Sequence, residues 1–239
     1  MATAAFPGGQ RLLLDDVSWQ GYENLLKEFD GRPIRLTYDE GDLEIRTLSF
    51  GHESYSWILG RLIATWTEEL NIPLRAGKST TLKLKRKKKG LEGDQCFWNQ
   101  NEARMRGKRV FDLKVDPPPD LAMEIDISRS SMNRMVIYAA LKVPEVWRFN
   151  GKTVRFYRLN ENGAYKLCER SLAFPLLSPA DVLRFLLASE TTEETTLIRS
   201  FRDWIRKSIL PAWQAAQGYE QMQGKKQKSK KKDGNGERS

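Results

Sequence analysis

The sequence has few of the residues on which disulfide and zinc chemistry depend. Its 239 residues include two cysteines, Cys96 and Cys168, and a single histidine, His52. The cysteines lie far apart with no Cys-x-x-Cys spacing, which excludes a disulfide framework and a cysteine-based zinc site. A Ser-His-Asp or zinc-histidine enzyme would have to depend on His52 alone. Any metal chemistry is therefore expected to use carboxylates and a hard cation, Mg²⁺ or Mn²⁺.

Long apolar runs are also missing. No window approaches the roughly 18 uninterrupted apolar residues that a membrane helix needs. The opening segment, MATAAFPGGQ, has neither the basic flank nor the apolar stretch of a secretory signal. We therefore expect a soluble cytoplasmic protein with no membrane partner.

Positive charge, by contrast, is in excess. Lys and Arg number 40 against 31 Asp and Glu, a formal net charge of +9. This balance favours a polyanionic partner, usually nucleic acid, with membranes and acidic proteins as alternatives. The segment 83–89 is read as a flexible basic loop that contacts DNA through counterion release, or else as a solvated loop tip. Its basic residues are Lys83, Lys85, Arg86, Lys87, Lys88 and Lys89.

Hydrophobic spacing predicts a mixed α/β fold. A central mixed sheet bears the strands of Asp94 and Glu124, and helices over 51–70 and 131–142 flank it. A hairpin around Asn150-Gly151 follows, because that dipeptide favours tight turns. We divide the chain into a core domain over 1–177, a helical C-terminal extension over 178–218 packed on it, and a tail over 219–239. The Lys-rich tail lacks the apolar residues needed to fold and is expected to be disordered.

The strand predicted around 121–127 carries acidic residues on one of its faces. Alternation places Leu121, Met123 and Ile125 on one side, and Ala122, Glu124 and Asp126 on the other. Two carboxylates on a mostly apolar strand are costly to hold ionised, unless a metal ion offsets the cost. Asp94, on a preceding strand, would supply another ligand. A cation held in this way can polarise a phosphate and acidify a bound water.

Three stretches of this region resemble a known family. They are Leu91–Asp94, then Pro119–Leu121 leading to Glu124–Ser128, and Ile137-Tyr138 through 143–147. The block resembles the Uma-two type of restriction endonucleases, a branch of the PD-(D/E)XK nuclease superfamily, and the similarity extends more loosely from about Tyr22 to Phe174. It implies a restriction-endonuclease-like core and Mg²⁺- or Mn²⁺-dependent endonucleolytic cleavage of DNA. Such nucleases often act as homodimers.

The resemblance also assigns roles to residues. Asp94 matches the Asp of the Pro-Asp motif, with Gly93 in the place of the proline, and Glu124 matches the acidic member of (D/E)XK. The main-chain carbonyl of Ile125 is then a further metal ligand. Asp126 occupies the position of the expected lysine, so the cationic role passes to the following helix, where Arg134 aligns. An arginine can stabilise a phosphate but cannot act as a general base.

Several of these roles have alternatives. Asp126 is either a third ligand or the solvated end of its strand, and Arg134 is either the catalytic cation or a helix-surface residue. Glu53 and His52 are accessory site candidates, or merely residues that suit the start of a helix. Tyr138 is expected in the core. Because no lysine follows Glu124, a catalytically weak or inactive DNA-binding or partner-binding member of the same fold remains the alternative function.

Overall fold

The computed structural model describes residues 9–126 and 132–217, so the Lys-rich tail predicted for 219–239 lies outside the described residues. The strands are β1 (Arg11–Leu14), β2 (Ile34–Asp39), β3 (Asp42–Thr47), β4 (Arg75–Ala76), β5 (Thr81–Leu84), β6 (Lys89–Glu92), β7 (Gln95–Trp98), β8 (Leu121–Ile125), β9 (Glu145–Phe149), β10 (Val154–Leu159) and β11 (Tyr165–Cys168). The helices are α1 (Trp19–Glu28), α2 (Phe50–Glu69), α3 (Glu102–Met105), α4 (Arg134–Ala140), α5 (Pro179–Ala188) and α6 (Glu194–Trp204).

The strands form two sheets. One has the order β11-β10-β9-β8-β7-β4, and the other has the order β1-β3-β2-β6-β5. All pairings are antiparallel except that of β8 with β9, which is parallel. The mixed α/β fold is confirmed, including a mixed sheet in which the strand that follows Asp94 pairs with the strand of Glu124. The five-stranded sheet is an addition to the predicted central sheet.

The two faces of the six-stranded sheet are covered by different elements. Met123 and Ile125 of β8 belong to an apolar core shared with α2, α5 and α6. On the opposite face, Ala122 packs with Ile137 and other residues of α4. The alternation along this strand therefore separates an apolar face from the face that carries Glu124.

Local sequence explains where the long helices begin. The Ser49 hydroxyl accepts a hydrogen bond from the main chain of His52 at the start of α2. Ser178 and Asp181 form a capping box at the start of α5. The predicted helix over 131–142 starts at Arg134 in the structure, and residues 127–131 lie outside the described ranges. Within those ranges, no helix combines the length and apolar character needed to cross a bilayer.

The basic segment 83–89 is a β-hairpin rather than the flexible loop we expected. β5 leads into a 3-10 turn, Lys85–Lys87, and returns as β6, which pairs with β2. Leu82, Leu84 and Leu91 anchor the hairpin because their side chains are buried against the α4 cluster. Apolar residues within and beside the basic run thus hold it in regular structure.

Candidate active site

Asp94 and Glu124 lie side by side on the α4 face of the six-stranded sheet. Asp94 precedes β7, and its main-chain N–H donates to the Met123 carbonyl at 3.2 Å. Its Oδ2 accepts a hydrogen bond from the Ile125 amide at 2.6 Å. Both side chains are almost inaccessible, 0% exposed for Asp94 and 4% for Glu124. Antiparallel pairing of two strands thus brings together two carboxylates that are distant in sequence.

Basic groups surround the Asp94 carboxylate. Arg46 Nη2 donates to Oδ1 at 3.0 Å, and both side chains are buried. His52 Nε2 lies 3.1 Å from the same oxygen, although its direction does not satisfy hydrogen-bond geometry. Burial by itself would raise the pKa of Asp94, but the His52 contact and the Arg46 charge outweigh it and hold the pKa below its usual value. These basic neighbours therefore hold Asp94 in its ionised form.

Glu124 is bound differently. Its Oε1 accepts hydrogen bonds from Arg134 Nη2 at 2.8 Å and from the Tyr138 hydroxyl. Burial raises the pKa of Glu124, and the nearby charge of Asp94 raises it further, while Arg134 opposes both effects. The pKa values of the adjacent carboxyls are thus shifted in opposite directions, an arrangement typical of active sites.

Arg134 is fixed at the first residue of α4. It donates to Thr37 Oγ1 at 2.5 Å and to the Glu92 carbonyl at 2.8 Å, besides its contact with Glu124. Its side chain is 9% exposed. This contradicts the helix-surface alternative, because the guanidinium is buried among polar groups of three other elements. Gly93 is required nearby, since a Cβ there would lie 2.6 Å from the Tyr138 hydroxyl.

Asp126 follows β8 and forms a third acid–base pair. Arg148 Nη2 donates to its Oδ2 at 2.6 Å, while its Oδ1 is buried and has no hydrogen-bond partner among residues 9–126 and 132–217. Glu124 and Asp126 both line a cavity of about 50 Å³. The remaining residues of its lining are Arg46, Met132, Asn133, Arg134, Met135 and Arg148. Carboxylate and guanidinium groups therefore meet at one small space.

The available oxygen ligands suit a hard cation that keeps several water ligands, rather than one coordinated entirely by protein groups. In residues 9–126 and 132–217, no group of three or more His, Cys, Asp or Glu side chains could hold a metal ion. Asp94 and Glu124 with the Ile125 carbonyl would supply oxygen ligands only. Mg²⁺ commonly takes one or two carboxylates and keeps several waters, so this oxygen set fits the predicted ion.

The other predicted site residues include one that contacts the carboxylate pair and several that lie at the protein surface. His52 contacts Asp94, and its Nδ1 lies 3.3 Å from Glu53 Oε1. The Glu53 side chain is 56% exposed and lines a surface groove. In the basic hairpin, Lys83 donates to Glu23 at 2.9 Å and Lys89 contacts Asp39. The hairpin residues that remain exposed are Lys85, Arg86, Lys87 and Lys88.

Sequence reasoning missed three residues of the cluster. Arg46 and Arg148 pair with Asp94 and Asp126, and the Tyr138 hydroxyl contacts Glu124. Tyr138 is buried as expected, but it also serves the site. Alternation on β3 places Arg46 on the face opposite Ile45, but the same pattern is typical of a solvent-facing arginine, so it does not mark Arg46 as a site residue. Nor does the sequence mark Arg148, because only the β8–β9 register brings it opposite Glu124.

Comparison with known proteins identifies the family to which this chain belongs. A family model described as "Putative restriction endonuclease", Uma2, matches residues 19–192. The chain belongs to the Uma2 family, which confirms the resemblance. No curated protein matches the chain. Among solved structures, a putative nuclease of the DUF820 group from Anabaena variabilis is 15% identical, with 63% of this chain and 90% of that chain covered and a TM-score of 0.44.

Proposed function

We propose that this protein is a Mg²⁺- or Mn²⁺-dependent endonuclease that hydrolyses DNA phosphodiester bonds at the Asp94–Glu124 pair. The observation that carries the proposal is the pair itself: two buried, adjacent carboxyls with pKa values shifted in opposite directions. Three guanidinium groups line the cavity beside Glu124. Family membership supports the same class of reaction.

Asp94, Glu124 and the Ile125 carbonyl would hold the cation, which when bound acidifies a water and polarises the scissile phosphate. The Ile125 amide and Arg46 orient the Asp94 carboxylate and favour its ionised form. Tyr138 and Arg134 both bind Oε1 of Glu124, so that oxygen is fixed in position. The protein thus preorganises its oxygen ligands through hydrogen bonds from outside the pair.

Arg134 supplies the positive charge that the missing lysine would have given. Its contacts with Thr37 and the Glu92 carbonyl fix the guanidinium next to Glu124. A fixed cation at this position stabilises the negative charge that develops on the phosphate. Because arginine stays protonated, the proton of the attacking water must pass to another acceptor. Asp126 lines the cavity, and its Oδ1 has no hydrogen-bond partner among the described residues, so it is the candidate for that acceptor. The role of third metal ligand is not proposed, because the described residues include no group of three such side chains that could hold a metal ion.

One observation favours the alternative of a catalytically weak or inactive DNA-binding member of the fold. Each carboxylate of the cluster has its own arginine: Asp94 has Arg46, Glu124 has Arg134 and Asp126 has Arg148. Such pairs neutralise the acids without a metal ion. In this alternative the basic hairpin binds DNA and the cluster stabilises the fold. Assembly as a homodimer remains a prediction for either function.

A cleavage assay separates the two functions. Supercoiled plasmid and branched DNAs are incubated with the purified protein in Mg²⁺, Mn²⁺ or EDTA, beside Asp94→Ala and Glu124→Ala. We expect metal-dependent nicking that falls by at least about 100-fold in both variants, as losses at charge-stabilising groups do. Cutting that persists in both variants would contradict the assigned site. DNA binding without cutting at any metal concentration would support the inactive alternative.

A further inference from the structure

A groove runs along the outer face of α4, next to the candidate active site. It has a volume of about 650 Å³, within the range of ligand-binding pockets. The lining residues that define it are Asn133, Met135, Val136, Ala139, Lys142 and Tyr157. Asn133 and Met135 also line the small cavity beside Glu124. The groove and the acidic cluster therefore share a wall.

Positive charge stands at the edges of this groove. Lys87, from the turn of the basic hairpin, and Lys142, just after α4, are both exposed lining residues. Within the described part of the chain, the lining includes no acidic residue. Lys142 has φ of 63°, a left-handed conformation that glycine would adopt without strain. Lys142 therefore lines the groove from a backbone conformation that glycine adopts more readily.

The floor of the groove is apolar. Val136, Ala139 and Ala140 expose small aliphatic side chains along α4, and Tyr157 contributes a half-buried aromatic ring from β10. A nucleic acid strand with unpaired bases matches this surface, because bases stack on aromatic rings while phosphates bind cations at the rim. A duplex would hide its base faces and leave the apolar floor uncovered.

We propose that this groove binds a single-stranded segment of DNA that leads into the Asp94–Glu124 site. Lys87 and Lys142 contact its phosphates, and Tyr157 stacks on a base. The inference rests on the proposed nuclease function and specifies its substrate class: DNA with an unpaired strand, as at a branch, flap or frayed end. An acidic protein segment would use the lysines but not the aromatic floor.

Binding without cleavage tests this assignment. Fluorescence anisotropy in EDTA measures the affinity of the full chain for labelled oligo(dT), longer than the ~16 nucleotides of a large single-strand site, and for a blunt duplex of equal length. The variants are Tyr157→Leu and Lys142→Gly. Lys207→Gln is the matched control, since Lys207 is exposed beyond α6, on the opposite face of the sheet.

We expect tighter binding of the single strand than of the duplex. Tyr157→Leu should weaken single-strand binding about 10-fold through lost stacking. Lys142→Gly should reduce the slope of log affinity against log salt by about 0.7, with a melting temperature equal to or above wild type. Lys207→Gln should change neither quantity. Tighter binding of the duplex, unchanged single-strand affinity in both groove variants, or equal displacement of oligo(dT) by poly-glutamate would overturn the proposal.

These results separate the groove from the catalytic proposal. If the protein does not cleave plasmid but the groove variants bind single strands more weakly, the groove assignment is supported and the nuclease function is rejected. Metal-dependent cleavage with groove variants that bind as wild type would do the reverse.

Discussion

Two buried glutamates on neighbouring strands have very different surroundings. Glu145, at the start of β9, is completely buried. Its Oε1 accepts from the Trp147 indole at 2.8 Å, and its Oε2 accepts from Ser171 Oγ at 3.1 Å and the Ala173 amide at 2.8 Å. Neutral donors therefore occupy both oxygens, and they join β9 to the segment that precedes α5.

Glu124 has the same degree of burial but a charged environment. Arg134 and Tyr138 both bind its Oε1, Asp94 lies alongside, and a cavity adjoins it. Burial raises the pKa of both Glu124 and Glu145. A shifted pKa alone thus does not identify a functional acid. The partners distinguish them, because Glu145 holds two chain segments together and Glu124 belongs to a cluster of opposed charges at a cavity.

The largest contrast is expected in catalysis. Glu124→Gln should reduce metal-dependent cleavage by about 100-fold or more, because an amide is a poor ligand for a hard cation. Glu145→Gln should leave the rate within a few-fold of wild type at a temperature where it is folded. Steady-state plasmid nicking measures both. Equal losses in the two variants would remove the distinction between the two acids.

Stability should show the opposite ranking. In Glu145→Gln the amide nitrogen must replace one of two accepting oxygens, which leaves a buried donor unpaired at a cost of about 1–3 kcal/mol. In Glu124→Gln the carbonyl can take the place of Oε1 and the amide can face the cavity, so the free energy of unfolding should change by less than about 1 kcal/mol. Urea unfolding monitored by circular dichroism measures both. A larger loss for Glu124→Gln would assign that residue a structural role.

The pH dependence of stability should differ in sign between Asp94 and Glu145. The pKa of Asp94 is lowered by folding, so its stabilising effect exists above about pH 4 and disappears as the pH falls through the folded value. The pKa of Glu145 is raised, mainly by burial, so its contribution exists below about pH 4 and is lost as the pH rises through the folded value. Measurements of the unfolding free energy between pH 3 and 8 should therefore show that the destabilisation caused by Asp94→Asn grows with pH. The cost of Glu145→Gln in unfolding free energy should shrink over the same range. Parallel trends would contradict the assigned shifts.

The smallest effects on DNA binding are expected in the basic hairpin, where some lysines contact acidic residues and others are exposed. Lys83 and Lys89 already contact acidic residues, whereas Lys85 and Lys88 are exposed. Lys85→Gln and Lys88→Gln should each reduce the salt slope of duplex binding by about 0.9, and Lys83→Gln should leave it nearly unchanged. Anisotropy across a salt series distinguishes them. Equal slopes in all variants would remove the hairpin from the DNA-binding surface.

Local patterns in the sequence accounted for much of the fold. The alternation in β8 predicted which face carries Glu124, and the helical spacing predicted α2. Asn150-Gly151 predicted the β9–β10 hairpin, where Asn150 Oδ1 accepts from the Thr153 amide at 2.8 Å. The second sheet could not be predicted in this way, because it depends on long-range pairing such as Thr37 with Leu91.

The candidate site likewise contains residues that the sequence predicted and residues that it did not. Resemblance to a family pointed to Asp94, Glu124 and Arg134, which the structure brings together. It gave no indication of Arg46 or Arg148, since an arginine on an alternating strand has the pattern of a solvent-facing residue. The register of β8 with β9 places Arg148 opposite Glu124. The connection between β6 and β7 carries Asp94 to within hydrogen-bonding distance of Arg46. Charge pairing between distant strands is a tertiary property.

The most direct test of the central claim is whether the Asp94–Glu124 pair binds a metal ion. Mn²⁺ is titrated into wild type, Glu124→Gln and Glu145→Gln, and free Mn²⁺ is quantified by electron paramagnetic resonance. We predict that wild type and Glu145→Gln bind Mn²⁺ with equal affinity, and that Glu124→Gln binds at least about 10-fold more weakly. Equal binding in all three proteins, or no Mn²⁺ binding by wild type, would contradict the assignment of this pair as a metal-dependent active site.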